Sequence, residues 1–410
     1  MTHVDETTAA AQGKAGDARG LEPDFDPLDA DFSANPYPTW SRLRESAPVA
    51  RGARWNFWAL TRYADIKQVS RQPKKFTSSL GITVPTNPVS GRRAPLHFDP
   101  PEHPLYRRPL NGVFSDQRVE LLEPEIRGIA RDLVARLVEE GGGDVVAKLT
   151  SPLTGAVFGL FIGVSCEEAL DLNSHSERFE WAQGHRDATI AEEENLYLYQ
   201  RCREIVAARR ESPLDEERDM ISALLSLRID GQELDDEFIA GSLRQLLIAA
   251  HVAPTAVIAS AIKHIALDRD LQALLRSDPG LVPAANEEFL RLYTPNQGFS
   301  RTAVGPACVH GQEINAGEQV ALVLTSANRD EDVFDRPDEF VLEREPNPHI
   351  AFGHGAHKCA GQAVARAEML VAMQELLAAT ESVELGARRT PLLWPLHGPE
   401  SLEILVEAAV

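Results

Sequence analysis

The segment Phe352-Gly353-His354-Gly355-Ala356-His357-Lys358-Cys359-Ala360-Gly361 places one cysteine among glycines, directly before the amphipathic stretch Gln362 to Leu377. A cysteine so placed can ligate a metal. The ligating form is the thiolate, and a helix start favours it through its positive dipole end and free backbone N–H groups. Gly353, Gly355 and Gly361 permit conformations and close approaches that a Cβ resists. The plain alternative is a glycine-rich turn around a buried thiol, because free cysteine is among the most buried residue types. Three other segments set charge at short spacing. Glu288-Phe289-Leu290-Arg291 puts opposite charges on one helix face, although exposed pairs of this kind are nearly neutral in energy. In Asp99-Pro100-Pro101-Glu102-His103-Pro104-Leu105-Tyr106-Arg107-Arg108, His103 and Arg107 share a helix face, with Pro104 in the first turn. A histidine at a helix start is otherwise a cap or a surface residue. Arg301, in Phe299-Ser300-Arg301-Thr302-Ala303, is otherwise a surface arginine.

The string Phe-Gly-x-Gly-x-His-x-Cys-x-Gly resembles the heme-binding loop of the cytochrome P-450 superfamily, in particular its bacterial soluble heme-thiolate monooxygenases. The resemblance runs in order from Pro36 to Val406. It implies heme b (iron protoporphyrin IX), with Cys359 as the metal ligand, an axial thiolate that favours O–O cleavage. Phe352 would pack beside the sulfur, and His357 would contact a propionate. Arg301 would clamp a propionate with its planar guanidinium, while His103 and Arg107 would face the second. The Glu288/Arg291 pair would brace a meander below the heme.

One stretch departs from the family. Where the family usually shows Ala-Gly-x-(Asp/Glu)-Thr, with an acid and an alcohol delivering protons to dioxygen, this chain reads Ala249-Ala250-His251-Val252-Ala253-Pro254-Thr255. Val252 stands at the acid and Ala253 at the alcohol, and neither can donate. Thr255 lies two residues on, about 200° around a helix, which turns it away. Pro254 lacks the N–H that would bind the Ala250 carbonyl, so a notch is expected there, and that carbonyl can hold an ordered water. The proton-delivery site is therefore expected at Ala250, Val252, Ala253, Pro254 and Thr255, with water on the Ala250 carbonyl, assisted by the substrate, as the donor. His251 is either a relay, given its near-neutral pKa, or a partner of a neighbouring helix.

The elements that must position these groups are mainly helices with minor β. The resemblance implies the cytochrome P-450 fold, with a long central helix over the heme. A strand is expected at Trp55 to Leu60, a short helix at Arg62 to Val69, and a proline-rich loop from Thr83 to Pro101. Helices are expected at 102–114, 117–140, 144–162, 166–183, 191–210, 216–226 and 235–268, the last roughly 50 Å long. The resemblance implies as pocket elements the loop before His97, the helices around Phe179, Trp181 and His185, the face Ile248, Val252 and Ala253, the turn Asn296 to Phe299, and Trp394-Pro395-Leu396. They make a mainly apolar pocket. Arg92, Arg93 and Arg186 are candidates to hold a substrate carboxylate.

Composition narrows the class. Lys plus Arg number 41 against 62 Asp plus Glu, a net −21, which is opposite to the basic footprint of a nucleic-acid binder. Cys166, Cys202, Cys308 and Cys359 form no metal-type pair and no disulfide scaffold, which fits a reducing cytoplasm. Residues 1–20 read as a disordered tail without signal-peptide features, and 21–410 as a single domain. The apolar run Leu149 to Val164 falls short of the roughly 20 residues of a membrane span, so no membrane is expected. The functional expectation is a monooxygenase inserting one atom of dioxygen into a small or medium-sized, largely apolar organic substrate, by hydroxylation or oxidative dealkylation. A separate ferredoxin or flavoprotein would donate electrons, because the chain has no nucleotide-binding glycine loop or iron–sulfur cysteines of its own. The alternatives are a coupling oxidase, a peroxygenase, or a non-catalytic heme-binding or gas-sensing protein.

Overall fold

The computed structural model describes residues 21–22, 26–27, 29–52, 56–84, 90–91, 93–229 and 231–409. The expected tail 1–20, Trp55 and Arg92 lie outside the described residues.

Four consecutive buried residues, Phe57–Leu60, need cover on both faces and partners on both edges. They obtain the partners in a six-stranded sheet built from β1 (Leu21–Glu22), β2 (Val49–Gly52), β3 (Phe57–Leu60), β4 (Phe76–Thr77), β5 (Phe299–Ala303) and β6 (Gln319–Leu322). The order is β1-β2-β3-β6-β5-β4. β3 pairs in parallel with β6, and β6 pairs antiparallel with β5, so that Arg301 stands opposite Val320. This register carries Arg301 from the chain's C-terminal third to a sheet begun near its N-terminus. A three-stranded sheet joins Thr380–Pro391, Pro399–Ala408 and Gly142–Asp144.

The helices are α1 (His103–Val113), α2 (Asp116–Glu139), α3 (Ser151–Ile162), α4 (Cys166–His185), α5 (Ala188–Glu211), α6 (Asp236–Ala249), α7 (Val252–Leu267), α8 (Val282–Leu292) and α9 (Gln362–Ala379), with shorter ones between. Capping chemistry sets several starts. Asp187 accepts from the N–H groups of Thr189 and Ile190, so α5 begins before the expected 191. Asp219 caps Ser222, so the helix expected from 216 begins at Met220. In α2 the buried Val119, Leu122, Ile126, Ala130, Leu133 and Leu137 recur at three- and four-residue intervals, the stripe that packs on α9.

The helix expected over 235–268 is interrupted. α6 ends at Ala249, Ala250 and His251 leave helical geometry, with His251 at φ −112° and ψ −71°, and α7 starts at Val252. The physical cause is Pro254. It cannot donate to the Ala250 carbonyl, and the ladder resumes with Thr255 N–H to His251 O at 3.1 Å. Asp236–Leu267 still runs as one element of 32 residues. It is long and apolar enough to cross a bilayer, a more apolar run than Leu149 to Val164, but 67% of its most apolar window is buried inside the molecule. It is the core helix, because its apolar surface is spent on α8, α9 and the C-terminal strands.

Candidate functional site

The Cys359 loop is shaped by hydrogen bonds between near neighbours. Gly353 N–H donates to Ile350 O at 2.8 Å, and Cys359 N–H donates to Phe352 O at 2.8 Å. Gly353 and Gly355 both have positive φ, +75° and +79°, and a Cβ on Gly355 would lie 2.5 Å from the Ser70 carbonyl. Gly361 differs from the expectation. Its φ is −85° and a Cβ there would meet no protein atom within 4 Å, so the fold itself does not require glycine at that position. Its N–H instead points at the Cys359 sulfur. Burial pushes the Cys359 thiol pKa up, against the pull of the Gly361 N–H and of Arg107, Arg366 and Lys358. Cys359 nevertheless keeps accessible surface; for its chemistry the desolvation matters more, since it sets which protonation state is favoured. Phe352 lies under the Arg366 guanidinium at 4.6 Å.

Four basic side chains converge beside this loop from three elements. His103 and Arg107 come from α1, Arg301 from β5, and His357 from the Cys359 loop; the His103 and His357 rings are 4.3 Å apart. Arg107 donates from Nε to Asn111 Oδ1 at 2.7 Å and from Nη2 to the Lys358 carbonyl. Arg301 is buried and donates to its neighbour's carbonyl, Ser300 O, at 2.7 Å. The buried His103 Nε2 has no hydrogen-bond partner. Burial, and after it Arg301, His103 and Arg107, push the His357 pKa down to about 2, and burial pushes Arg301 down to about 10. Among the described residues none of the four makes an ion pair. Asp99 is close, but its carboxylate is engaged by Ser78 N–H at 3.2 Å, Ser78 Oγ at 3.1 Å and Thr77 Oγ1. Ser78 also reaches His357 Nε2 at 3.1 Å. It was not anticipated, and a serine in Phe76-Thr77-Ser78-Ser79 carries no local signal of such a role.

On the helix side, Ala250, Val252 and Ala253 are half-buried, whereas Pro254 and Thr255 are buried. Thr255 Oγ1 meets Thr154 Oγ1 on α3 at 2.9 Å and donates to Thr150 O at 3.4 Å. His251 is held by Thr154 Oγ1 at 2.9 Å and by Glu177 Oε1 on α4 at 3.1 Å. Both point toward neighbouring helices.

Some expected pocket residues lie elsewhere. Trp181 is 44% exposed and stacks on exposed His185, so it faces outward. Trp394 is buried in a small core with Trp40 and Phe57 and donates to Val84 O at 2.5 Å. A separate cavity of about 800 Å³ opens among α1, α5 and α6, lined by Phe98, Tyr106, Tyr199 and Phe238 among others, and none of the four converging bases lines it.

A family model, Cytochrome P-450, matches residues 280–383. The cyclomarin C epoxidase CymV of Salinispora arenicola is 31% identical over 361 residues, covering 84% of this chain and 89% of that protein. A steroid C26-monooxygenase of Mycobacterium tuberculosis is 31% identical over 371 residues, covering 89% and 92%. The chain belongs to the cytochrome P-450 family. Solved structures agree: CYP109Q5 from Chondromyces apiculatus has a TM-score of 0.83 at 28% identity, covering 95% of this chain and 99% of that one. The histidine-tagged, open P-450 EryK from S. erythraea has a TM-score of 0.83 at 27% identity, covering 94% and 99%. This P-450 is thus an oxidoreductase of mainly α fold, and heme iron is the cofactor its family implies.

The residues present fit that group. A heme carries two carboxylates and needs an axial donor, and here buried bases without a carboxylate partner adjoin a desolvated thiol with accessible surface. A buried cation such as Arg301 left this way is costly, and an anion beside it would remove the cost.

In this P-450 the segment leading to the Cys359 loop is braced by α8. Glu288 and Arg291, both buried, pair at 2.7 Å, and Arg291 also donates to the carbonyls of Asn328, Pro337 and Glu339. Glu288 accepts from Val341 N–H at 3.0 Å and from Arg344 Nε at 3.0 Å. Adjacent Glu287 joins α8 to His349 at 3.0 Å and to Arg366 of α9 at 2.7 Å. Burial acts to raise the Glu287 pKa, but the hydrogen bonds from His349 and Arg366 outweigh it and hold it at about 2, below its ordinary 4.5. Because the folded pKa is depressed, this stabilisation is fully present above about pH 4.5 and is lost as pH falls toward 2. Glu287→Gln is expected to be less stable than wild type at pH 7, with the gap closing across that window; thermal unfolding from pH 7 to 2.5 measures it. A gap independent of pH refutes this assignment.

Proposed function

We propose that this P-450 holds heme b through Cys359 and inserts one oxygen atom from dioxygen into a small or medium-sized, largely apolar organic substrate, by hydroxylation or oxidative dealkylation. The observation that carries the reading is the convergence of His103, Arg107, Arg301 and His357, without carboxylate partners, beside the Cys359 thiol. When bound, the heme supplies the centre at which dioxygen is reduced and cleaved, and a thiolate ligand favours that cleavage. The four bases hold the propionates; Phe352 fixes the sulfur by accepting the Cys359 N–H.

Proton delivery then falls to the interruption between α6 and α7. Val252 and Ala253 have no proton to give, and Thr255 is committed to Thr154 and Thr150. Pro254 frees the Ala250 carbonyl, which in this reading holds a water at the substrate side, assisted by polar groups of the substrate itself. Thr255→Ala is expected to leave product per electron nearly unchanged. Pro254→Ala closes the notch and is expected to lower product per electron roughly tenfold or more, since a positioned donor is worth 10²–10⁴ in such steps. Abolition of coupled turnover by Thr255→Ala alone contradicts this reading.

Residues 21–410 act as one domain in this reading, taking electrons from a ferredoxin or flavoprotein in the cytoplasm; the four free thiols support that compartment. The test is a carbon monoxide difference spectrum of the reduced protein, followed by turnover with dioxygen and reductant against turnover with peroxide. A thiolate-type spectrum with product only from peroxide transfers the reading to a peroxygenase.

A further inference from the structure

Arg244, on α6, is fully buried, and among the described residues none of its three guanidinium nitrogens has a hydrogen-bond partner. Arg291 is equally buried and makes five hydrogen bonds, so burial alone does not explain an orphaned guanidinium. Such a group is costly unless something pairs with it.

Its surroundings are specific. Arg244 lies over the Phe179 ring of α4 at 4.4 Å and 5.8 Å from the Tyr199 ring of α5. Arg93, from the proline-rich loop, approaches the same Phe179 ring at 6.0 Å, and its buried Nε is also without a partner. Two like charges thus flank one aromatic ring. Burial pushes the Arg244 pKa down to about 10, and Arg93 adds to that push. Two carboxylates are near enough to be felt. Glu192 is occupied by Ser90 N–H at 2.9 Å and Asn195 Nδ2 at 3.4 Å, and Glu180 makes no ion pair with either arginine among the described residues.

The position along the helix gives the site a direction. Arg244 and Ile248 are four residues apart and share one face of α6, and Ile248 lies two residues before the interruption at Ala250 and His251. A ligand held at Arg244 that extends along Ile248 therefore runs toward the interruption.

We infer that Arg244 and Arg93 anchor the carboxylate of the substrate, an organic acid whose apolar body runs along Ile248 toward the interruption between α6 and α7. The inference rests on the monooxygenase reading of the same site. A planar guanidinium binds a carboxylate through two parallel N–H···O bonds, which satisfies the donors the fold leaves unpaired.

The test uses the heme-loaded protein and a series of saturated monocarboxylic acids of graded chain length, each with its methyl ester, titrated against the ferric heme spectrum. At least one acid is expected to bind roughly ten- to a hundredfold more tightly than its ester, the range of a desolvated charge-assisted pair. In Arg244→Met that preference falls to near unity while ester binding persists, and Arg93→Gln lowers it in part. Arg244→Met is also expected to unfold at no lower a temperature than wild type, because it removes an unpaired buried charge. A wild-type protein in which no acid outbinds its ester overturns the inference, and so does a preference that survives Arg244→Met. So does an equal loss of thermal stability in Arg244→Met and Glu180→Gln, which would make Glu180 the guanidinium's internal counter-ion. Loss of the thiolate-type carbon monoxide spectrum in wild type refutes the heme-thiolate reading instead.

Discussion

Cys359→Ser protein is expected to lose the thiolate-type carbon monoxide spectrum entirely and, with it, oxygenation of any substrate. The serine hydroxyl is a far weaker acid than a thiol and does not ionise beside a helix start at neutral pH. The backbone should tolerate the change, since the Cys359 N–H to Phe352 O bond and the positive φ at Gly353 and Gly355 do not involve the sulfur. Heme content and the reduced carbon monoxide spectrum, measured together, separate the two roles of the loop. Retention of heme with an altered spectrum is the expected outcome, because the propionate-facing bases remain. Retention of the thiolate signature excludes Cys359 as the iron ligand.

Arg291→Ala is expected to cost about 3–5 kcal/mol, the usual penalty for stranding one partner of a buried ion pair. Native stabilities are only about 5–15 kcal/mol in total, so the variant should accumulate as heme-poor or insoluble protein. The penalty exceeds that of a surface pair because Glu288 would be left fully buried, and because Arg291 also ties down Asn328, Pro337 and Glu339 through their carbonyls. Arg291→Lys should rescue little, since an ammonium cannot reproduce a planar fork that holds one carboxylate while bonding three carbonyls. Thermal unfolding and heme content check this. A loss smaller than about 1 kcal/mol would mean that the pair is energetically equivalent to an exposed one.

These two sites were also the most readable in the sequence. The Cys359 loop is made by residues a few positions apart, whose glycines and helix start act locally, so a string of ten residues already contains most of its geometry. Glu288 and Arg291 share a helix face by spacing alone. The long apolar periodicity of 235–268 was legible for the same reason, and so was the consequence of Pro254, which acts on the carbonyl four residues before it. The interruption at Ala250 and His251 is what that local rule produces, and the uninterrupted helix expected from periodicity was the less accurate reading.

What the sequence could not decide was which distant elements face one another. Arg301 became part of the basic cluster through the register of β5 on β6, and Ser78 became a partner of Asp99, 21 residues on, and of His357, 279 residues on. Trp181 and Trp394 were equally plausible pocket walls by residue type, yet one is exposed on α4 and the other is buried with Trp40 and Phe57. No local pattern in the sequence around Arg244 marks it out. Only the packing of α4 and α5 over α6 removed it from water and left its donors unpaired. By itself, then, the sequence determined the family, the thiol and the local shape of each motif, because those depend on residues that are neighbours along the chain. The tertiary structure decided burial, charge pairing and the direction each side chain faces, because desolvation depends on what packs opposite, which no local pattern specifies.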